Sequence, residues 1–362
     1  MNALQIVGHE AVRSDLIRAL RSGRLPQVLL VTGDAGVGKQ TLGRWLAQAA
    51  LCSNPAEAPC GACQNCRLVV GLTHPDFHWL IPIPRPKATE PDKQIEEAAD
   101  SIGTAIAARR ANPVYPPATG LENHGVASAR LLLKTGSMTT IMGGRRIFLV
   151  GEADRLVPQE ANPEAANALL KFLEEPPAST TVILTTTDVS RVLPTIRSRA
   201  VPIRLGRLSD AQIEAGLTSL APAIDAAERR RRIGGAEGSL GRALHHKASA
   251  TTDANVEQLL TTIKLGGAAR FERILSQGTF AARGDFAELL DGLTATLSSA
   301  ARADLGGATR AVPAVLRDVT PPSRFLDALD LVTAAREAAQ GNVNPQLVLA
   351  AVTAELKEAL WH

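Results

Sequence analysis

Aromatic residues make up only 3% of the 362-residue chain. Stacking on unpaired bases, a common way of holding single-stranded nucleic acid, is therefore not indicated. An excess of one charge is lacking too, because the formal net charge is only +3. Autonomous nucleic-acid binders carry a strongly basic face. We therefore expect any contact with DNA to come from local patches or from a larger assembly.

Long apolar runs are also missing. No run approaches the roughly 18–20 residues that span a bilayer. The opening residues, MNALQIVGHEAV, lack the charged start and apolar centre of a secretory signal. We expect a cytoplasmic protein without membrane contact. Thiols stay reduced in that compartment, so grouped cysteines favour a metal site over disulfides.

What the chain does contain is a set of short apolar runs that alternate with helical patterns. Buried strands are predicted at Gln27–Thr32, Arg146–Val150 and Thr180–Thr186. Between the last two, a helix is predicted with Asn162 as its N-cap and Pro163 at its first position. Strands alternating with helices predict a parallel α/β sheet.

The later part of the chain shows helical patterns and no further strand signals. Capped or amphipathic helices are predicted at Ser209–Leu220, Asp285–Ala300, Ser323–Gln340 and Pro345–Leu360. Before them, residues 81–125 read as an irregular insertion with a helix near Lys93–Arg109. The predicted division is an α/β domain over residues 1–205, a small helical part over 206–252 and an all-helical domain over 253–362.

A glycine-rich loop lies between the first strand and the helix after it. Its sequence, GDAGVGK, has the Walker A layout, with Gly33, Gly36, Gly38 and Lys39 at the expected positions. In this layout main-chain N–H groups and the helix N-terminus face the phosphates, and the lysine reaches the terminal ones. The alternative is an ordinary glycine-rich turn. We predict a site for ATP or ADP.

Two positions that normally hold the magnesium ion are altered. The residue after the lysine is Gln40 instead of Ser or Thr. Thr41 comes one residue late, which turns its side chain by about 100° around a helix. Where a Walker B strand ends in Asp-Glu-Ala-Asp, this chain has Gly151 followed by Glu152. Glu152 stands where a carboxylate activates water. The two changes together argue against Mg²⁺ binding and efficient hydrolysis.

Four cysteines lie within fifteen residues, in the pattern C-x7-C-x2-C-x2-C. Four thiolates can close a tetrahedral shell around Zn²⁺, which makes such a site structural and not catalytic. An iron–sulfur cluster and disulfides are the alternatives. The nearby His74 and His78 are interpreted as ordinary polar residues. The predicted ligands are Cys52, Cys60, Cys63 and Cys66.

Several segments together resemble the clamp-loader AAA+ subunits of bacteria. The resemblance covers residues 1–205. The later, helical part of the chain matches that family only in length and character. The segments are Ile6–Lys39, the four-cysteine module, His74-Pro75-Asp76, EAANALLKFLEEPP at Glu164–Pro177 and LPTIRSRA at Leu193–Ala200. The resemblance implies an AAA+ domain with a zinc module, followed by a helical lid and an all-helical collar. It also implies a hetero-pentamer that opens a sliding clamp and places it on primer–template DNA.

In that family a Ser-Arg-Cys motif supplies an arginine finger to a neighbouring subunit's ATP. Here the motif reads Ser198-Arg199-Ala200, so the resemblance gives Arg199 this role in trans. Arg197 is the nearest rival, and an ordinary surface arginine is the simpler alternative. The resemblance also places Thr186 or Thr187 near the first sensor position, and Arg242 one step from the second.

Within the family, γ/τ subunits hydrolyse ATP, whereas δ′ subunits often have a degenerate site and keep the finger. Gln40 and Gly151 therefore favour the δ′ branch, with γ/τ and δ subunits as partners. Two alternatives stay open, an active γ/τ-type ATPase and a zinc-stabilised DNA-binding module. The run Arg229–Arg232 is interpreted as a solvated helix face in preference to a DNA or partner contact.

Overall fold

A computed structural model describes residues 4–112, 122–142, 144–156, 164–245, 250–277, 283–303, 312–340 and 343–362. The chain divides into two compact units. The first comprises Met1–Pro222 with Ala236–His245, and the second comprises Ala223–Gly235 with His246–His362. None of the described helices is long and apolar enough to cross a bilayer.

The first unit contains a five-stranded parallel sheet in the order β2-β3-β4-β1-β5. The predicted parallel sheet is therefore confirmed, with all three predicted strands at its centre. Val28 pairs with Val182 and Arg146 with Thr180, which fixes the register of the three. The strands are β1 Val28–Thr32, β2 Phe77–Leu80, β3 Arg146–Val150, β4 Thr180–Thr186 and β5 Val201–Arg204.

Helices cover both faces of this sheet. Leu29, Ile147 and Ile183 point to one face, and their neighbours Phe148 and Val182 point to the other. Successive side chains alternate across a strand, so each strand contributes to two cores. Helices α1 to α4 pack on the first face, and α5 and α6 on the second. Their bounds are α1 Glu10–Arg21, α2 Lys39–Ala50, α3 Gln64–Val70, α4 Pro91–Ala111, α5 Val126–Gly136 and α6 Glu164–Glu174.

Several local predictions are confirmed in this unit. Helix α4 matches the helix expected near Lys93–Arg109. Helix α8 (Asp210–Leu220) follows α7 (Pro194–Arg197), and its N-cap Ser209 forms a reciprocal capping box with Gln212. The predicted cap at Asn162 and Pro163 falls outside the described residues.

The second unit is entirely helical in its described residues. The three predicted amphipathic helices are confirmed as α13, α14 and α15, and their apolar faces share one core around Phe286, Leu290 and Leu349. Glu228 pairs with Arg231 and Arg232. Arg231 is 70% exposed, as a solvated face predicts, whereas Arg232 is only 17% exposed, so the prediction holds for part of the run. The helices are α9 Ala226–Gly235, α11 Ala250–Leu265, α12 Gly267–Leu275, α13 Arg283–Ala303, α14 Arg324–Gln340 and α15 Pro345–Trp361, with α10 (Leu240–His245) in the first unit.

The predicted boundary between lid and collar stays a prediction. Residues 206–222 and 236–245, which lie inside the expected lid, group with the α/β unit, whereas 223–235 group with the helical unit.

Candidate nucleotide site and cysteine centre

The glycine-rich loop connects β1 to α2, as the sequence predicts. Gly36 and Gly38 have φ angles of 76° and 105°, a region that glycine enters without steric cost. Lys39 begins α2, and its Nζ donates to the carbonyl oxygens of Gly33 and Asp34, at 2.7 Å each. The loop therefore folds around its own lysine.

Two opposing effects act on the charge of Lys39: burial disfavours the ammonium form, and nearby carboxylates favour it. Only 8% of the residue is exposed, and burial lowers the pKa of its ammonium to about 8. The carboxylates of Asp154, Asp34 and Glu152 oppose this shift. A phosphate group placed here would favour the charged ammonium.

The segment around Ser239 packs directly on the glycine-rich loop. The Ser239 hydroxyl donates to the Ala35 carbonyl at 2.8 Å, and the Gly241 N–H donates to the Gly36 carbonyl at 2.9 Å. A Cβ atom on Gly241 would lie 2.6 Å from the Cα of Gly36, so only glycine allows this approach. Arg242, the candidate second sensor, pairs with Glu237.

The end of β3 lies beside the start of α2. The carboxamide of Gln40 lies against Gly151, where a Cβ atom would be 3.0 Å from its Cδ. Glu152 follows with a left-handed φ of 54°, and its carboxylate pairs with Arg155 at 2.8 Å. The structure thus places the predicted residues of both motifs at one site. Thr41 lies half-buried in the first turn of α2.

A second carboxylate at this strand end is also engaged. Thr186, one of the two candidate first-sensor residues, donates its hydroxyl to Asp154 at 2.6 Å. Asp154 is 6% exposed. This bond links the end of β4 to the Walker B region.

Arg199 lies just after α7, at the surface of the first unit. Its guanidinium forms an ion pair with Glu174, the last residue of α6, and donates to the Thr195 carbonyl at 2.6 Å. Arg197, the rival, is exposed. The pair joins two of the segments that carry the family resemblance, because Glu174 belongs to ALLKFLEEPP.

The four cysteine sulfur atoms form one cluster. Sγ of Cys52 lies 3.9 Å from that of Cys63, and Sγ of Cys60 lies 4.0 Å from that of Cys66. All four atoms lie within 4.8 Å of one another. A tetrahedron with Zn–S bonds of about 2.3 Å has sulfur–sulfur edges of about 3.8 Å. The grouping of the four sulfurs is therefore compatible with a Zn²⁺ site.

Main-chain groups support thiolates at this centre. The N–H of Cys66 donates to the Cys63 sulfur, and that of Cys63 donates to the Cys60 sulfur, both at 3.4 Å. Burial alone would raise the pKa of the Cys63 thiol, but hydrogen bonds from Cys66 and Ser53 outweigh it and lower that pKa to about 6. Burial raises the pKa of Cys66. A bound cation would favour the thiolate at both.

The two nearby histidines have other partners. His74 Nδ1 accepts from the Asp76 N–H at 3.1 Å. His78 stacks on Phe148 with ring centroids 5.1 Å apart. In the described residues, groups of three or more metal-ligating side chains occur only at the four cysteines.

Comparison with known proteins gives the family. A family model described as DNA polymerase III, delta subunit, matches residues 8–209, more than half of the chain. The chain belongs to this family. The δ′ subunit of DNA polymerase III from Pseudomonas aeruginosa is 32% identical over 173 residues, which cover 48% of this chain and 40% of that protein. The δ′ subunit from Bacillus subtilis is 28% identical over 214 residues, covering 59% and 51%.

A DNA polymerase III subunit of another name is similar as well. The τ subunit of Escherichia coli is 30% identical over 268 residues, which cover 72% of this chain and 35% of that protein. The chain thus spans about half or less of the lengths of these three relatives. A solved γ-subunit-related protein from Thermotoga maritima covers 95% of this chain and 98% of its own, with a TM-score of 0.43 and 14% identity. That level of likeness carries no conclusion about function.

In this member of the DNA polymerase III δ family, sequence reasoning misses several residues at the site. Ser239 packs on the loop, Glu174 pairs with Arg199, and buried His124 donates from Nε2 to the Gly151 carbonyl at 2.6 Å. Glu174 lies inside a quoted motif, so that motif was the available signal. Ser239 and His124 reach their partners only through tertiary packing, which no local pattern predicts.

Proposed function

We propose that this chain is a δ′-like subunit of the bacterial clamp loader. It joins γ/τ and δ subunits in a hetero-pentamer that places the sliding clamp on primer–template DNA. It donates Arg199 to a neighbouring subunit's ATP and hydrolyses little ATP itself. The family match and the similarity to two δ′ subunits support this assignment.

The observation that carries the proposal is the contrast between two parts of the first unit. At the chain's own loop, Gln40 lies against Gly151 and Glu152 is paired with Arg155, so the groups that hold metal and activate water are absent or engaged. Arg199 is also ion-paired, but its pair with Glu174 is more open to solvent: the two side chains are 27% and 47% exposed, against 16% for Glu152. Surface ion pairs are weak, so a phosphate group of a neighbour can replace that carboxylate.

Reconstitution of the loader tests the finger. ATP hydrolysis is measured with γ and δ subunits, clamp and primed DNA, using wild type, Arg199→Ala and the matched control Arg197→Ala. An arginine finger is worth about 10³–10⁵ in kcat at the site it serves. Arg199→Ala should therefore silence one site of the assembly, while Arg197→Ala should leave hydrolysis near the wild-type rate. Equal rates in both variants would exclude Arg199 as the finger.

Turnover by the isolated chain tests the alternative, an active γ/τ-type ATPase. The retained Lys39, Glu152 and Asp154 favour that alternative. We expect little ATP turnover by the purified chain. Robust turnover that collapses in Lys39→Ala would replace the δ′-like assignment with the ATPase one.

The cysteine centre is proposed to hold a structural Zn²⁺. It links the end of α2 to the start of α3, and its sulfurs pack with Ala49 and Ala58. Metal analysis should give about one zinc per chain. The remaining alternative, a zinc-stabilised DNA-binding module, predicts tight DNA binding by the isolated chain at physiological salt, and we expect only weak binding.

A further inference from the structure

The side chain of Gln40 occupies the space beside Gly151 where other residue types have a Cβ atom. A Cβ atom on Gly151 would lie 3.0 Å from Cδ and Nε2 of Gln40 and 3.1 Å from Oε1. All three heavy atoms of the carboxamide head therefore cover the direction in which any other residue carries its side chain. A side chain at position 151 would require the Gln40 carboxamide to move by a few tenths of an ångström.

The main chain at Gly151 is held in place on three sides. Its N–H donates to the Leu80 carbonyl at 2.9 Å, and its carbonyl accepts from His124 Nε2 at 2.6 Å. The next N–H, of Glu152, donates to the Thr185 hydroxyl at 3.1 Å. The φ angle of Gly151 lies outside the left-handed region, so alanine is conformationally allowed there. Contact with Gln40 is therefore the main obstacle that a Cβ atom at this position would meet.

These two residues stand where P-loop proteins hold Mg²⁺. A hydroxyl after the lysine and an aspartate at the end of the Walker B strand are the usual protein ligands. Mg²⁺ demands a compact octahedron of oxygens, whereas this chain offers a neutral amide and no side chain. The two remaining carboxylates are engaged, Glu152 with Arg155 and Asp154 with Thr186. Mg²⁺ does not fit these residues.

We propose that the Gln40 carboxamide occupies the metal position beside Gly151, so that the loop binds nucleotide phosphates without a divalent cation. Binding would use Lys39 and the main-chain N–H groups of the loop. The carboxamide is neutral, so it does not supply the positive charge that the metal would bring. This inference rests on the δ′-like function proposed above and on the ATP or ADP site that the sequence predicts for the loop.

Thermal stability tests the contact itself. Gly151→Ala should lower the Tm of the nucleotide-free protein by about 2–4 °C, because the added methyl meets the carboxamide of Gln40 at a buried position. The matched control is Gly206→Ala, where a Cβ atom would meet no heavy atom within 4 Å. In a Gln40→Ser background the loss caused by Gly151→Ala should largely disappear. An equal loss in both backgrounds would overturn the proposal.

Calorimetric titration with ADP tests the metal exclusion in the full chain. Wild type should bind ADP with affinities that agree within about twofold in Mg²⁺ and in EDTA. The double variant Gln40→Ser/Gly151→Asp restores both ligand types and should bind ADP at least about tenfold tighter in Mg²⁺ than in EDTA. A similar preference for Mg²⁺ in wild type, or no wild-type binding in either buffer, would refute the proposal.

The outcome is distinguishable from failure of the proposed function. The reconstituted assay on Arg199→Ala reports on a neighbour's ATP site and does not involve Gln40. Magnesium-dependent ADP binding together with a strong Arg199→Ala defect rejects only the inference made here. Magnesium-independent binding with no Arg199→Ala defect rejects only the arginine finger.

Discussion

The ion pair of Asp76 and Arg146 offers a sharp test of why His74-Pro75-Asp76 matters. The side chains are 2% and 4% exposed. Asp76 accepts the N–H groups of Ile141 and Met142, both at 2.9 Å, and lies 3.8 Å from the guanidinium. Arg146 donates to four carbonyl groups in residues 135–139. The pair therefore holds the loop between α5 and β3 from both sides.

Asp76→Ala should destabilise the first unit strongly. Removal of Asp76 takes the buried counter-charge from Arg146, which keeps its four carbonyl acceptors, and takes the acceptor from the N–H groups of Ile141 and Met142. Breaking a buried pair in this way typically costs about 3–5 kcal/mol. For a unit of this size, that corresponds to a fall in Tm of roughly 6–20 °C. Urea unfolding followed by tryptophan fluorescence measures the loss in free energy, because Trp79 lies on the strand that Asp76 precedes.

A matched control separates burial from charge. Asp15 also pairs with an arginine, Arg18, at 3.2 Å, but the two side chains are 68% and 77% exposed. Asp15→Ala should change the free energy of unfolding by less than about 1 kcal/mol. If Asp76→Ala cost no more than Asp15→Ala, the reasoning from burial would be wrong. Asp76→Asn should fall between the two, because the amide oxygen keeps one acceptor.

Three further outcomes are expected. Cys66→Ser should lose the bound zinc and lower Tm, and a chelator that lowers the wild-type Tm should leave that of the variant unchanged; a wild type that is stable and free of metal would contradict this. Because the pKa of Lys39 is about 8, its proton is lost as pH rises, so ADP affinity should be flat just below that pH and fall up to about tenfold per unit above it. Lys39→Arg should remove that dependence, and equal slopes would refute it. Glu174→Gln should change stability by less than about 1 kcal/mol and leave loader hydrolysis at or above the wild-type rate, whereas a loss matching that of Arg199→Ala would make Glu174 a positioning residue for the finger.

The central strands could be predicted from the sequence because both of their faces are buried. Arg146–Val150 and Thr180–Thr186 are buried along their whole length, so each appears as a continuous run of apolar and β-branched residues. The two strands without a prediction, Phe77–Leu80 and Val201–Arg204, are the edges of the sheet. The last is largely exposed and contains Pro202, which an edge strand tolerates. Edge strands leave a weaker pattern for this physical reason.

Some residues of the candidate site could likewise be predicted from the sequence, and others could not. The glycine loop, Lys39 and the cysteine ligands follow from local spacing, since each motif is built from residues near in sequence. The residues that contact them in the fold cannot be predicted from local spacing. Gly241 reaches the loop through main-chain contact, and the only sign of that approach in the sequence is the resemblance that places the second sensor at this segment. Glu174 was available in a motif, but only the fold shows that it faces Arg199.

The contact of Gln40 with Gly151 changes how the two altered motifs should be tested. Read along the sequence, they are two separate losses, and each invites a single reversion. In the structure, Asp at position 151 alone would meet the Gln40 carboxamide at a main chain that three hydrogen bonds hold in place. Such a variant would lose stability, and its failure to bind Mg²⁺ would say nothing about the site's capacity for metal. Reversion of Gln40 alone would leave a hydroxyl beside a glycine and still lack the carboxylate. Only the double change restores the ligands without the clash, so the single variants serve as controls and the double variant as the experiment.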